Sequence, residues 1–594
     1  MKRFLSILLI LALVLGMAGC STNKPQKQEQ NKPEEVKLNG TYEGNGIGRG
    51  GNIVVELTIA NNKISAVKVK EHHETEGLAE AMNIITNDMI ATNSLDVDSV
   101  SGATLTSAGF KMAVKDAFSK TGAGADALVK AGSVEIEKRE SEYTADVIVI
   151  GAGGAGMTAA VAAADKGASV IVLEKMPIQG GNTLISGGEY AAPGNWIQEK
   201  EGIEDNAEQF YNDILKGGDN KNDPALVRVL ADNALAGATW LKDYIGMDFE
   251  DYMLFFGGHS VERSLVPRNA TGYEMIHKLT LKLEEKDIPL HKNTSATELI
   301  KNQDGRVVGV KAEYDGKTIT YNANKSVILA TGGFGANIDM RVKYNSAMNE
   351  KILSTNTVGS TGDGIVMAEN SGVQLVDMEY IQTYPTCDAQ SGALLYVGDV
   401  RMEGRSILVN KEGRRFVEEL ERRDVISNAV IEQTGGVSYM FWDESAMKDS
   451  GVNVTHEAEY NGLILRKQLV KADTIEEAAT FFDINADELK KTVENYNQYA
   501  KDGKDLEFNK RGKLVPFKGG PYYIMVSKPA VHHTMGGVKI NTDAQVIDTD
   551  GNVIEGLFAA GEITGDIHGT NRLGSDAIAD ITVFGRIAGE NAAK

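Results

Sequence analysis

Three glycines define the first chemistry in this chain. Gly151, Gly153 and Gly156 follow a G-x-G-x-x-G spacing. Glycine at those places lets backbone N–H groups and the positive end of a following helix approach a pyrophosphate with no Cβ in the way. Glu174 closes a second apolar run further on, where a carboxylate can hydrogen-bond a ribose hydroxyl. The segment from Lys175 to Gly188 adds Gly187, Asn182, Thr183 and Ser186, suited to wrapping a flavin's phosphates and ring. The surrounding residues supply the elements that hold these groups. Ala145 to Ile150 is an apolar, β-branched run, Met157 to Lys166 is alanine-rich with a helical period, and Ser169 to Leu173 is again apolar. Strand, glycine turn, helix and acid-tipped second strand together specify dinucleotide binding.

Two later stretches, Val327 to Gly333 and Gly556 to Glu562, are apolar strands ending in small residues. They resemble the strand ends that close over FAD in the fumarate reductase and succinate dehydrogenase flavoprotein superfamily. The resemblance implies a tightly held, non-covalent FAD, contacted also by Ala155, Lys175, Asp363, Glu562, Ala577 and Ile578.

The chain has 594 residues, enough for about three domains. Lys2 and Arg3, an apolar run from Phe4 to Val14, and small residues before Cys20 resemble a bacterial lipoprotein signal. On that resemblance residues 1–19 are removed and Cys20 is acylated. The protein is then exported and lipid-anchored to the outer face of the cell membrane. Residues 20–36 have the composition of a tether. Cys387 is the only other cysteine, so no disulfide within the mature chain is expected. No C-x-x-C-H occurs, which excludes c-type haem, and no metal site is expected. A formal charge of -22 argues against nucleic acid as a partner.

Residues 37–122 alternate apolar and polar positions in three runs, the pattern of a half-buried antiparallel sheet, and end in a helix. Between them lies Asp98-Ser-Val-Ser-Gly-Ala-Thr104, which resembles the covalent flavinylation motif of FMN-binding domains in sodium-pumping quinone reductase. That resemblance implies FMN joined to Thr104 by a dedicated flavin transferase, with Thr106 as the neighbour to be distinguished from it. The FMN would pass electrons to FAD from an external donor, quinol-linked or a flavin redox protein. Residues 123–142 form a charged connector that lets the FMN domain swing.

From Asp146 onward the chain resembles flavocytochrome c-type fumarate reductases, through Gly257 to Arg263, Thr361 to Gly364, Ile407 to Asn410, Val531 to Gly537 and His568 to Gly574. The implied fold class is α/β. A Rossmann-like FAD domain (143–377 and 531–594) is interrupted by an α+β clamp domain (378–530) and preceded by a small α+β FMN-binding domain. The implied reaction is reduction of a C=C bond conjugated to a carboxylate. Arg572 and His533 would hold that carboxylate and Arg423 would donate the proton. Arg422 takes that part only if the alignment slips by one.

The departures from fumarate reductases are specific. Tyr384 replaces the histidine, Gly398 the threonine and Asp399 the glutamate that manage fumarate's second carboxylate in the family. A phenol, a glycine and a carboxylate suit a ring that donates a hydrogen bond. Tyr384 and Asp399 resemble the substitutions of the urocanate-reducing branch, which implies reduction of urocanate to imidazole propionate in anaerobic respiration. The alternatives are fumarate or an aryl acrylate as substrate. From another class, an electron-transfer lipoprotein has no use for Arg423, His533 and Arg572 together. The group that reloads Arg423 stays open among Arg401, Met402 and Arg405.

Overall fold

The computed structural model describes residues 38–594 apart from 75, 101–102, 129–131 and 134–135. The signal segment, the tether and Cys20 lie outside the described residues, as do Ser101, Gly102 and the side chain of Thr104. The first unit is an antiparallel sheet of β1 (Gly40–Ile47), β2 (Asn52–Ala60) and β3 (Lys63–Glu71), covered by α1 (Glu76–Thr92) and α2 (Thr104–Ser119). In β2 the alternation seen in the sequence becomes one buried face of Ile53, Val55, Leu57 and Ile59. Gly44 and Gly46 let α2 lie against β1, since a Cβ on either would collide with the carbonyls of Ala113 or Gly109.

This unit is seated on the rest of the molecule. A Cβ on Gly77 of α1 would meet Leu184 and Tyr273, and the Arg49 carbonyl accepts a hydrogen bond from Arg466 of the clamp.

The FAD domain is built on β4 (Glu142–Ile150), whose strand starts at the end of the connector, and β5 (Val170–Leu173). The parallel core runs Val553–Ala559, Lys317–Leu329, β4, β5, Leu290–His291. Helices cover it, so β4 is apolar on both faces from Val147 to Ile150. The helix α3 (Gly154–Asp165) is buried from Gly154 to Ala163 because it lies between this sheet and the last helix, Asp576–Ala592. Its alanines face Gly585 and Gly589 there, where added Cβ atoms would strike α3.

The clamp centres on Tyr522–Thr534, a thirteen-residue strand paired antiparallel with Ser438–Asp443, Leu469–Ala472 and Ile381–Cys387. The boundary expected at residue 530 thus falls inside a continuous strand. Its first half belongs to the clamp and its last residues carry His532 and His533 toward the flavin cavity. The register pairs Tyr384 with Ala530 and Gln382 with His533, which brings together groups far apart in sequence.

Candidate active site

A cavity of about 450 Å³ opens at the carboxyl ends of the parallel strands. Gly151, at φ +104, turns the chain out of β4, and a Cβ there would strike Ala330. Gly156 packs α3 down on the strand, where a Cβ would strike the Gly151 carbonyl. Gly153 is different. It lines the cavity at an ordinary φ of -78, and the nearest protein atom to an added Cβ is 3.9 Å away. Protein packing does not require glycine there; close approach of a phosphate does. The FAD expected from the sequence therefore fits this cradle.

Ala155, Asn182, Thr183, Ser186, Asp363, Glu562, Ala577 and Ile578 also line the cavity. Lys175 donates to Thr361 and Asp363, each at 2.8 Å, tying the two sides of the entrance. Glu174 accepts the amides of Ala152 (2.9 Å) and Met176 (2.8 Å), so its carboxylate fixes the glycine turn while it lines the cavity. Gly187 and Gly188 are not among the lining residues. Gly187 lies beside Glu189 and Gly188, at φ +74, backs onto Gly272.

The substrate residues converge beside this cavity from four segments. Tyr384 is buried and donates to Asp399 at 3.0 Å; burial pushes its phenol up to about 12, with the Asp399 charge second. Burial also raises the Asp399 carboxyl, opposed first by Arg401. The Arg423 guanidinium lies 4.8 Å from the Tyr384 ring centre, and its Nη1 has no hydrogen-bond partner. Arg572 is buried too. Its Nη1 donates to the Leu573 carbonyl at 3.0 Å, and its Nε has no partner. Burial, then repulsion from Arg423, lowers it to about 9. His533 lines the cavity, held neutral by burial and by Arg572. Two buried guanidiniums with unfilled donors form a well of positive charge whose complement is a carboxylate.

Arg422 and Arg423 separate by environment. Arg422 pairs with Asp219 at 2.6 Å and Asp424 at 2.7 Å near the surface, while Arg423 points inward. Among the three candidates for the relay, Arg405 pairs with the half-exposed Asp449. Arg401 is buried, lies 5.9 Å from the Tyr384 ring centre, and leaves Nε without a partner. Arg401 is therefore the one facing the site, beside Asp399.

Three groups escaped the sequence reading. Glu189 shares this interior with Asp399, Arg423 and Arg572, and burial lifts its carboxyl to about 7; its signal was its place directly after Gly187-Gly188. His532, next to His533, puts its ring 5.4 Å from that of Tyr384 and bonds Thr355 at 2.9 Å. Gln382 donates to the Arg572 carbonyl and to Asn571, each at 2.7 Å, holding the loop that presents Arg572. The same loop is braced by His259, which donates to Gly574 at 2.8 Å and is fixed in turn by Arg263. Arg263 is fully buried between Asp205 and Asp213.

Residues 146–578 match the family model described as FAD binding domain, and residues 48–119 match the FMN-binding domain. A urocanate reductase of Eggerthella lenta is 51% identical over 84% of this chain and 83% of its own. A fumarate reductase (cytochrome) of Shewanella frigidimarina is 39% identical over 76% and 77%. The open conformation of a flavocytochrome c3 fumarate reductase superposes with a TM-score of 0.66 at 39% identity, covering 76% of this chain and 78% of that one. The chain belongs to the FAD-binding flavoprotein family that includes these urocanate and fumarate reductases, with an FMN-binding domain ahead of its FAD domain.

Proposed function

We propose that this flavoenzyme reduces the C=C bond of urocanate to give imidazole propionate. The observation that carries the choice is the Tyr384–Asp399 pair, hydrogen-bonded at 3.0 Å in the same interior as two guanidiniums with unfilled donors. The guanidiniums take the carboxylate end of an enoate. The phenol–carboxylate pair takes a distal group that donates a hydrogen bond, as an imidazole does and a second carboxylate does not.

FAD, when bound, supplies the hydride for the carbon β to the carboxylate. Arg572, with neutral His533 beside it, holds and polarises that carboxylate, so charge developing toward the α carbon is stabilised. Arg423 holds the proton for the α carbon. An arginine is a weak acid in water, and burial lowers the pKa here in the direction that acid catalysis needs. Arg401 and Asp399 stand where a relay would return a proton to it. Tyr384 uses one oxygen of Asp399 and leaves the other for the ring N–H.

Attachment of FMN at Thr104 by a flavin transferase, delivery of electrons by an external donor, and lipid anchoring through Cys20 belong to the same proposal. The motif around Thr104 and the signal-like N-terminus support them. Anaerobic oxidation of reduced viologen by the flavinylated protein, offered urocanate, fumarate and cinnamate in parallel, tests the choice of substrate. Turnover confined to urocanate is expected; rapid turnover of fumarate would overturn it.

A further inference from the structure

A second cleft, of about 250 Å³, lies where the three units meet. Leu105, the residue after Thr104, lines it and is 40% exposed; Ala103, Leu105 and Thr106 line the FAD cavity next to it, so the start of α2 stands where the two join. The clamp supplies one wall. There the rings of Tyr396 and His456 stack, with centres 5.0 Å apart and planes 16° from parallel. Tyr396 is fixed in place. Its hydroxyl donates to the Ile185 carbonyl at 3.1 Å, and Glu459 accepts the amides of Tyr396 (3.2 Å) and Val397 (2.7 Å). Arg49 also lines the cleft; its charge acts on Tyr396 and Glu459, and its guanidinium makes no hydrogen bond or close ion pair among the described residues. Arg49, Leu105, Ile185 and Ser186 line this cleft and the FAD cavity alike, so the two are neighbours across a shared wall.

A planar aromatic shelf, a guanidinium with no hydrogen bond among the described residues and an opening at the residue after Thr104 match the needs of a flavin ring on a covalent stem. We propose that this cleft seats the FMN ring carried on Thr104, with Tyr396 and His456 of the clamp as its shelf and Arg49 donating to its carbonyl edge. The proposal rests on attachment at Thr104. It assigns the ring a seat that the FMN-binding domain does not build alone.

The seat is joined to the substrate site by one short element. Tyr396 directly precedes the helical turn Val397–Met402, which carries Asp399. The residue that receives the FMN ring and the residue that receives the substrate's distal group are three positions apart on the same turn. The clamp contacts the FMN unit again at Arg466, which donates to the Arg49 carbonyl. A clamp position that completes the substrate site therefore also completes the FMN seat.

Iodide quenching of the covalent flavin's fluorescence in the FAD-loaded full chain tests this. The Thr104→Ala protein supplies the FAD background, and in-gel fluorescence after denaturation reports attachment. The wild-type signal should resist iodide. Arg49→Gln and Tyr396→Ala should keep the covalent flavin but raise its quenching constant several-fold. Arg49→Gln removes no buried side chain, so it reads the seat even if Tyr396→Ala disturbs the clamp. A wild-type flavin as accessible as free FMN, or quenching unchanged in Arg49→Gln, would overturn the seat. Covalent flavin persisting in Thr104→Ala would instead sink the attachment reading and the proposal with it.

Discussion

Replacing Asp399 by alanine separates recognition of the distal ring from everything else in the site. Tyr384 occupies one carboxylate oxygen at 3.0 Å, so the other is the one available to a ring N–H. A hydrogen bond to a charged partner contributes about 1.5–3 kcal/mol. At about 1.4 kcal/mol per factor of ten, its loss lowers kcat/KM by roughly 10- to 150-fold. The substitution also strands the Tyr384 hydroxyl in a buried place, but that cost falls on any substrate. Cinnamate has the same enoate and a ring of similar shape without an N–H. The ratio of kcat/KM for urocanate to that for cinnamate therefore isolates the distal bond, and it should fall by roughly 10- to 150-fold in Asp399→Ala. The assay is anaerobic viologen oxidation at substrate concentrations well below KM. If both substrates slow by the same factor, Asp399 acts through Arg401 and Arg423 and has no part in recognising the ring.

Arg423→Ala should lower kcat by about 10²–10⁴-fold through loss of the acid. Arg422→Ala loses only partly exposed ion pairs, about 0.2–1 kcal/mol each, and should stay within about tenfold of wild type; equal losses would return the acid to Arg422. Glu189 titrates at about 7 beside Arg423 and Arg572. Protonated below that pH, it leaves both guanidiniums to the substrate; ionised above it, it competes for them. The kcat/KM profile should therefore fall as pH rises through about 7, and Glu189→Gln should flatten it. Gly153→Ala has room in the protein, so the fold should survive while the ratio of bound FAD to protein drops. Gly156→Ala should instead destabilise the FAD domain itself, seen as a lower melting midpoint without ligand. Arg415 lies buried between Glu419 and Asp505, and Arg415→Ala should cost the clamp about 3–5 kcal/mol, read as an earlier unfolding step in denaturant.

How much of this was legible in the sequence depends on the range of the interactions. The βαβ unit is local: the glycines, α3 and the acid at Glu174 belong to one stretch, and period and turn chemistry were enough to place them. Glu174 shows the limit. Its position was foreseen, but not that its carboxylate would hold the backbone amides of Ala152 and Met176. The substrate site is non-local, and its residues came from resemblance rather than from pattern. Antiparallel pairing of Ile381–Cys387 with the end of Tyr522–Thr534 sets Tyr384 beside His532, and no periodicity within either strand predicts a partner some 150 residues away.

The continuity of the chain between clamp and FAD domain was not legible for a related reason. The expected boundary at residue 530 falls within Tyr522–Thr534, which runs through it unbroken. That continuity has a consequence for the chemistry. Clamp and FAD domain share a strand whose pairing in the clamp, Ser438–Asp443 against Tyr522–Ser527, is unbroken, with Ser438–Asp443 buried throughout. His532 and His533 lie at its far end, so a movement of the clamp must bend this strand or turn about it. It carries the histidines relative to Arg572, which is held on a separate loop by Gln382, His259 and the buried Arg263. The site thus joins one set of cations, Arg423 with the clamp, to another, Arg572 with the FAD domain. Their mutual repulsion, which adds to burial in lowering the pKa of Arg572, is what a carboxylate bound between them relieves.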